Sequence, residues 1–411
     1  MKEKRKLNKG GKILLLFTLV VSSIFLLRPF TVKADVNVNI NKETQIVTDL
    51  IGQYSINYTG DANFFGFYGY YENNNYNEMV KNTDFKTTVD TIGKGKIVNS
   101  SIASLKKTDG ATQIEAAYLV WETSVQGKNN TDLVKKAANK AVYFAGSTDK
   151  GAFTKKVNAS YAAVDMREPH LGTKEYTFSC MYTDVTATVQ KYGYGKYGVA
   201  NIPYVESTEK SNTSKGTHSG ESSAAWQLIV IEKNSKANVR AVSLKVGSHF
   251  NYQQENSKWT RNPVTMNLDL GDCKTNQYIN EDSEVSGELL LLGTNSGIVK
   301  SNATEQKSFG LDLYDTKKDK TGLLAYSNSG LIGHSYFYHG NTQLSSKLSS
   351  VRGMLMDFTV NQDDGSHPGF ATNKFRAEAS DSSWSTLFVV GLAVDVADYE
   401  LSENQKTTVN S

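Results

Sequence analysis

Apolar and polar residues alternate with a period of two along much of the chain. Val242, Leu244 and Val246 share one face of their segment, and Met266, Leu268 and Leu270 alternate with Asn267 and Asp269. Met354, Met356, Phe358 and Val360 alternate with Leu355, Asp357 and Thr359, and Leu392, Val394 and Val396 with Ala393 and Asp395. Successive side chains of a strand point to opposite faces, so these runs predict half-buried antiparallel strands. Three runs are apolar on both faces: residues 226–231 (WQLIVI), 289–292 (LLLL) and 387–390 (LFVV). They predict central strands covered on both sides.

Turn residues punctuate the runs, at Gly60-Asp61, 127–130 (GKNN), Asn234-Ser235, 295–297 (NSG) and 363–365 (DDG). Many short strands between such turns predict an all-β fold, an elaborated, jelly-roll-like antiparallel β-sandwich. One short helix is expected at residues 132–141, capped by Thr131 or Asp132, with Leu133/Ala137 and Val134/Ala138 at i, i+4 spacing.

Composition narrows the picture at the N-terminus. The chain has 411 residues, 45 Lys plus Arg against 42 Asp plus Glu. Residues 1–34 hold eight of the bases and one acid, Glu3, which leaves 37 bases against 41 acids in the rest. A basic stretch to Lys12 precedes an apolar run at 13–27, and Val32 and Ala34 stand at −3 and −1 of a cut before Asp35. The pattern is that of a secretory signal peptide, with a long basic start of the Gram-positive type. Its apolar helix would rise only about 22 Å, short of the ~30 Å hydrocarbon core. The expected domains are therefore the signal at 1–34, a sandwich at 35–400 with a sub-boundary near 263 as an option, and a polar tail at 401–411. No later segment is apolar enough to span a membrane as a helix, and no LPxTG motif stands near the end. The expectation is a secreted protein, at most held non-covalently at the cell surface. The body at formal charge −4 removes the electrostatic case for nucleic acid.

Export also bears on the two cysteines, Cys180 and Cys273. An oxidising compartment permits a disulfide between them. The alternative is a buried thiol at Cys180, which alternates in phase with Tyr176, Phe178 and Tyr182, and an exposed one at Cys273.

The order of several segments resembles the β-rich N-terminal domain of large Gram-positive cell-surface, adhesin-like proteins, which precedes repeat or isopeptide-forming modules. The resemblance rests on residues 117–124 (AYLVWETS), 182–186 (YTDVT), 196–202 (KYGVANI), 226–232 (WQLIVIE), Arg240 before AVSLKVG, 375–381 (FRAEASD) and 392–396 (LAVDV). It spans most of residues 50–396 and implies a β-sandwich of adhesion or binding type. It carries no catalytic residue. Two departures stand out: the aromatic stretch FFGFYGYYENNNYN early on, and the missing downstream modules and wall anchor.

No chemistry of turnover stands out, and the expectation is a protein without enzymatic activity, cofactor or metal. The histidines (His170, His218, His249, His334, His339, His367) include no i, i+4 pair around an acid, and His334 and His339 would fall on opposite faces of a strand. Gly216–Gly220 reads G-x-x-S-G rather than as a nucleophile elbow. What exceeds expectation is clustered Tyr and Phe beside Gly and Asn, with Tyr68 and Tyr70, Tyr192, Tyr194 and Tyr197, and Tyr336 and Tyr338 as candidate binding residues. Ring faces stack and hydroxyls hydrogen-bond at low entropic cost, which suits a glycan, wall polymer or host-protein ligand on a cell or matrix surface. Alternate rings also fill ordinary cores, so each cluster carries both readings. The other functional class is a pore-forming toxin, with the Ser/Thr-rich segment 86–113 as an insertion hairpin, interrupted by Gly93 and Gly95.

Overall fold

The computed structural model describes residues 38–40, 43–71, 74–81, 99–126, 138–167, 176–203, 221–250, 252–255, 258–261, 264–269, 285–295, 310–315, 323–327, 337–339, 342–346, 351–360, 374–380 and 385–396. The strands are β1 (Val38–Ile40), β2 (Glu43–Tyr71), β3 (Asn74–Lys81), β4 (Ser100–Leu105), β5 (Ala111–Gln126), β6 (Val142–Thr148), β7 (Gly151–Val157), β8 (Tyr161–Arg167) and β9 (Tyr176–Asp184). Helix α1 (Thr186–Tyr192) follows, then β10 (Gly195–Ala200), β11 (Glu221–Asn234), β12 (Val239–Phe250), β13 (Tyr252–Glu255), β14 (Lys258–Arg261), β15 (Val264–Asp269) and β16 (Val285–Asn295). The series closes with β17 (Gly310–Asp315), β18 (Leu323–Ser327), β19 (Phe337–His339), β20 (Thr342–Gln343), β21 (Val351–Val360), β22 (Lys374–Ser380) and β23 (Ser385–Asp395). The fold is an all-β sandwich of antiparallel sheets with a single short helix among the described residues.

The largest sheet runs β1-β8-β9-β5-β11-β2-β12-β23-β16-β21-β19-β20, with β3 added beside β2. Among the described residues, only β1 with β8 and β19 with β21 pair in parallel. The sheet folds over on the long strand β2. Residues 43–53 of β2 pair with β12 while residues 54–67 pair with β11. β12 thereby returns across β8 and β9, and β21 and β23 across β2. A four-stranded sheet, β4-β10-β6-β7, covers the outer face of β5, β11 and β2.

Among the described residues, two large interiors result. The first lies between the large sheet and the four-stranded layer, and holds Trp121, Leu119, Phe144, Tyr197, Trp226, Leu228 and Val230. The second lies inside the folded sheet, and holds Tyr58, Val120, Cys180, Ile229, Ile231, Leu244, Leu290 and Phe388. Strand β11 separates them, which is why WQLIVI is apolar on both faces: even positions enter one interior and odd positions the other. The phase expected for Val242, Leu244 and Val246 holds, since all three enter the second interior. In β21 both Met354 and Leu355 are buried, so that strand is covered on both faces rather than one.

Cys180 is a free, buried thiol between Phe178 and the aromatic pair Tyr161 and Tyr182, as its alternation suggested. Its sulfur is enclosed in the second interior, where burial raises the thiol pKa well above its ordinary range. Cys273 lies outside the described residues. The helix expected at 132–141 also lies outside them except for its last four positions, of which Ala138 is buried in the first interior. The observed helix is α1. Its start is held by Asp184 Oδ1, which accepts the Thr186 N–H at 2.7 Å, and its end by Gly193 at φ 71°, whose N–H reaches Val189 O. A left-handed φ of this kind favours glycine. Of the segment read as an insertion hairpin, residues 86–98 lie outside the description, while Ser100–Leu105 forms β4 within the sandwich.

Candidate functional site

Where α1 ends, the chain reverses through Gly193 into Tyr194 and β10, setting two tyrosines beside the β6–β7 turn and the start of β5. A cleft of about 440 Å³ opens there, lined by Thr112, Gln113, Ile114, Asp149, Lys150, Gln190, Tyr192, Gly193 and Tyr194. Each side of the cleft is anchored. Thr148 Oγ1 accepts the Lys150 N–H at 3.2 Å and donates to Gly151 O at 3.2 Å, which shapes the turn presenting Asp149 and Lys150. Gln190 donates its amide to Ile114 O at 3.0 Å and Glu115 O at 3.2 Å, tying the helix to β5 and leaving its carbonyl oxygen as an acceptor.

The two rings are held differently. Tyr192 is half-buried against Phe153, with ring centroids 4.5 Å apart, and Lys191 Nζ stands 5.1 Å from its centroid. Tyr194 is half-buried as well, but its hydroxyl is enclosed and makes no hydrogen bond of good geometry. Burial, then the nearby Glu232 carboxylate, holds its phenol well above the ordinary range. Rings immobilised in this way bind a ligand with little further loss of rotamer freedom.

The structure separates the predicted aromatic residues. Tyr192 and Tyr194 line the cleft together. Tyr197 does not: it is 1% exposed, lies parallel to Phe144 at 5.7 Å, and donates its hydroxyl to Gly193 O. The reason is the alternation of β10, which puts Tyr197 and Val199 into the first interior. Tyr68 and Tyr70 sit in the β2–β3 hairpin opposite Asn77 and Asn75, away from the cleft residues in pairing, and their side chains lie outside the description. Tyr338 pairs with Gln343 and with Met354 in the strand ladder, its side chain likewise undescribed, and Tyr336 lies outside the described residues. The buried ring of that cluster is Phe337, packed edge-on to Tyr58 at 6.4 Å.

Sequence reading missed Gln113, Asp149, Lys150 and Gln190. They come from three separated segments, and the turn signal Asp149-Lys150-Gly151 was the one local hint. Among the described residues, no group of three or more His, Cys, Asp or Glu gathers as a metal site, and no helix is long and apolar enough to cross a membrane.

No family model and no curated protein matches the chain. Among solved structures, PNGF-II aligns at 10% identity over 84% of this chain and 66% of its own, with a TM-score of 0.17. A Faustovirus major capsid protein aligns at 7% identity over 90% of this chain and 89% of its own, with a TM-score of 0.15. Overlaps this loose carry no argument about function.

Proposed function

We propose that the protein is a secreted, surface-associated binding protein of adhesion type, and that the cleft at Tyr192 and Tyr194 receives a polyhydroxylated ligand such as a glycan or wall polymer. The observation that carries this reading is the pairing of two immobilised rings with exposed Gln113, Asp149 and Lys150 and the Gln190 carbonyl in one cleft. A sugar has an apolar C–H face that packs on a ring and hydroxyls that need both donors and acceptors. Tyr192 and Tyr194 supply the first, and the amides and the Asp149–Lys150 turn the second. A volume of about 440 Å³ lies in the range of small-molecule sites and suits one or two sugar units of a longer polymer. The signal-like N-terminus and the resemblance to adhesin-type domains support the extracellular setting.

A glycan array followed by calorimetry with the best saccharide tests the reading. Tyr192→Ala is expected to weaken binding about tenfold or more. Because this ring is only half-buried and meets Phe153 in one tilted contact, the same change should cost no more than about 2 kcal/mol of stability. Unchanged affinity in Tyr192→Ala, or no saccharide bound at all, would reject the cleft as a glycan site.

A further inference from the structure

The second interior holds two polar side chains with no assigned partner. Glu122 of β5 is 1% exposed and Gln227 of β11 is 0% exposed. Both carboxyl oxygens of Glu122, and both the oxygen and the nitrogen of the Gln227 amide, lack a hydrogen bond of good geometry. The ladder places the two side by side. Glu122 pairs with Ala225 and Gln227 with Val120, so they are diagonal neighbours on the face that Val120, Ala225 and Ile229 turn to the second interior. The Gln227 stem leans over Gly60, where a Cβ would run into the Trp226 carbonyl and stand 3.0 Å from Gln227 Cα. Gly60 therefore makes room for the Gln227 stem, whose Cγ would stand 3.1 Å from such a Cβ.

The groups around Glu122 offer it no charge to pair with. Across β9 it faces Cys180, itself a buried neutral thiol. Tyr118 on its own strand, Tyr182 of β9 and Tyr161 of β8 are the next titratable groups around this interior, all with phenols raised mainly by burial. β11 presents Gln227, and β12 brings Gly247 and Ser248 to β9, where Ser248 Oγ donates to Phe178 O at 3.3 Å. No Lys or Arg contributes to the electrostatics at Glu122. An isolated carboxylate in such a place costs several kcal/mol, whereas a neutral acid and a primary amide are complementary in donors and acceptors.

We propose that Glu122 and Gln227 form an internal acid–amide pair that locks the second interior while its proton is in place. The neutral Glu122 carboxyl donates its O–H to the Gln227 carbonyl oxygen and accepts an N–H from the Gln227 amide, which satisfies every atom left without a partner except one amide hydrogen. Ionisation releases the carboxyl proton to bulk water, removes the only donor of the acid, and leaves a bare charge among Val120, Cys180 and Ala225. The device goes beyond ligand binding: it makes the sandwich tight in acid and neutral surroundings and loosens it in alkali.

The test uses the full chain and Glu122→Gln, whose side chain stays neutral at every pH. Thermal midpoints are measured from about pH 5 to about pH 9. The wild-type midpoint should fall relative to the variant as pH rises past neutrality, by about 5 °C or more at the alkaline end. Infrared spectra of protein labelled with 13C-carboxyl glutamate, taken at about pH 8 where ordinary carboxyls are ionised, supply a second readout that does not depend on the variant folding. A protonated-acid band should be present in the wild type and lost on further alkaline titration. Parallel midpoint curves, or no acid band at that pH, would overturn the proposal.

Discussion

On one face of β11, Trp226 gives its indole N–H to Ser101 Oγ at 2.7 Å, and Ser101 in turn donates to Asn63 Oδ1 at 2.6 Å. Asn63 donates to Asn99 Oδ1 at 2.8 Å and to Val199 O at 2.9 Å, and Asn99 exchanges two bonds with the backbone of Ile202 at 2.9 and 3.0 Å. Four strands or their ends are thus joined by side chains in which every polar atom has a partner. On the opposite face, one residue along, Gln227 has none of this. The same strand therefore borders a polar network that is complete and a polar pair that needs a proton to become so. Completeness belongs to the network rather than to the first interior as a whole, because Trp121, paired with Trp226 across the ladder, keeps an indole N–H without a partner. The difference teaches where a buried amide stiffens a fold: only where each of its atoms meets a partner.

The largest effect expected from this contrast is at Asn99. Asn99→Ala removes three hydrogen bonds and leaves the buried N–H and C=O of Ile202 without partners. The cost should be about 3 kcal/mol, read as a lower denaturation midpoint at unchanged slope. A cost below about 1 kcal/mol would mean that the filled network contributes no more than an ordinary surface contact, and the contrast would fail.

How far these arrangements were legible in the sequence follows from the distance over which each is written. The double-faced burial of WQLIVI and the inward face of Phe178 and Cys180 could be read directly, because alternation is a local signal. Tyr197 could not be told from Tyr192, because a run of Gly and Tyr does not reveal its phase until Tyr197 and Val199 are seen facing Phe144. The cleft itself is assembled by register. Gln113, Asp149 and Gln190 meet only because β5, the β6–β7 turn and α1 end at the same level. The Asn63–Asn99 network was equally hidden, since neither residue stands in a motif and their partner atoms are mostly main chain.

A buried carboxylate with a charged partner makes a second, smaller comparison with Glu122. Glu288, 12% exposed, meets Arg240 Nη1 at 2.9 Å and accepts the Ile56 N–H at 2.5 Å, while Arg240 Nε also holds Asp395 at 2.9 Å. Burial still outweighs Arg240 and raises the Glu288 pKa from 4.5 to about 6. The folded state thus holds this proton more tightly than the unfolded chain. The contribution is fully present below pH 4.5 and is lost as pH rises through about 6. Its size is about 2 kcal/mol, and Glu288→Gln should flatten that part of the stability–pH curve. A wild-type curve that rises through this window in step with the variant would show that Arg240 dominates after all. Glu122 lacks any such partner, and burial raises its carboxyl well above 4.5 with no cation to oppose the shift.

The smallest expected effect gives the sharpest test of the comparison. Replacing Glu122 and Gln227 together by leucine removes both polar partners and keeps most of the buried volume. When both members of a buried pair are exchanged for apolar groups of similar shape, the hydrogen bonds lost are offset by desolvation no longer suffered. The double variant should therefore stay within about 1 kcal/mol of the wild type at neutral pH, in either direction. It should also lose the alkaline weakening expected of the wild type. Gln227→Leu alone should be worse than the double change, because it strands the Glu122 carboxyl in the apolar interior. A double variant as damaging as Asn99→Ala would place the acid–amide pair on the same footing as the filled network, and the distinction between the two faces of β11 would disappear.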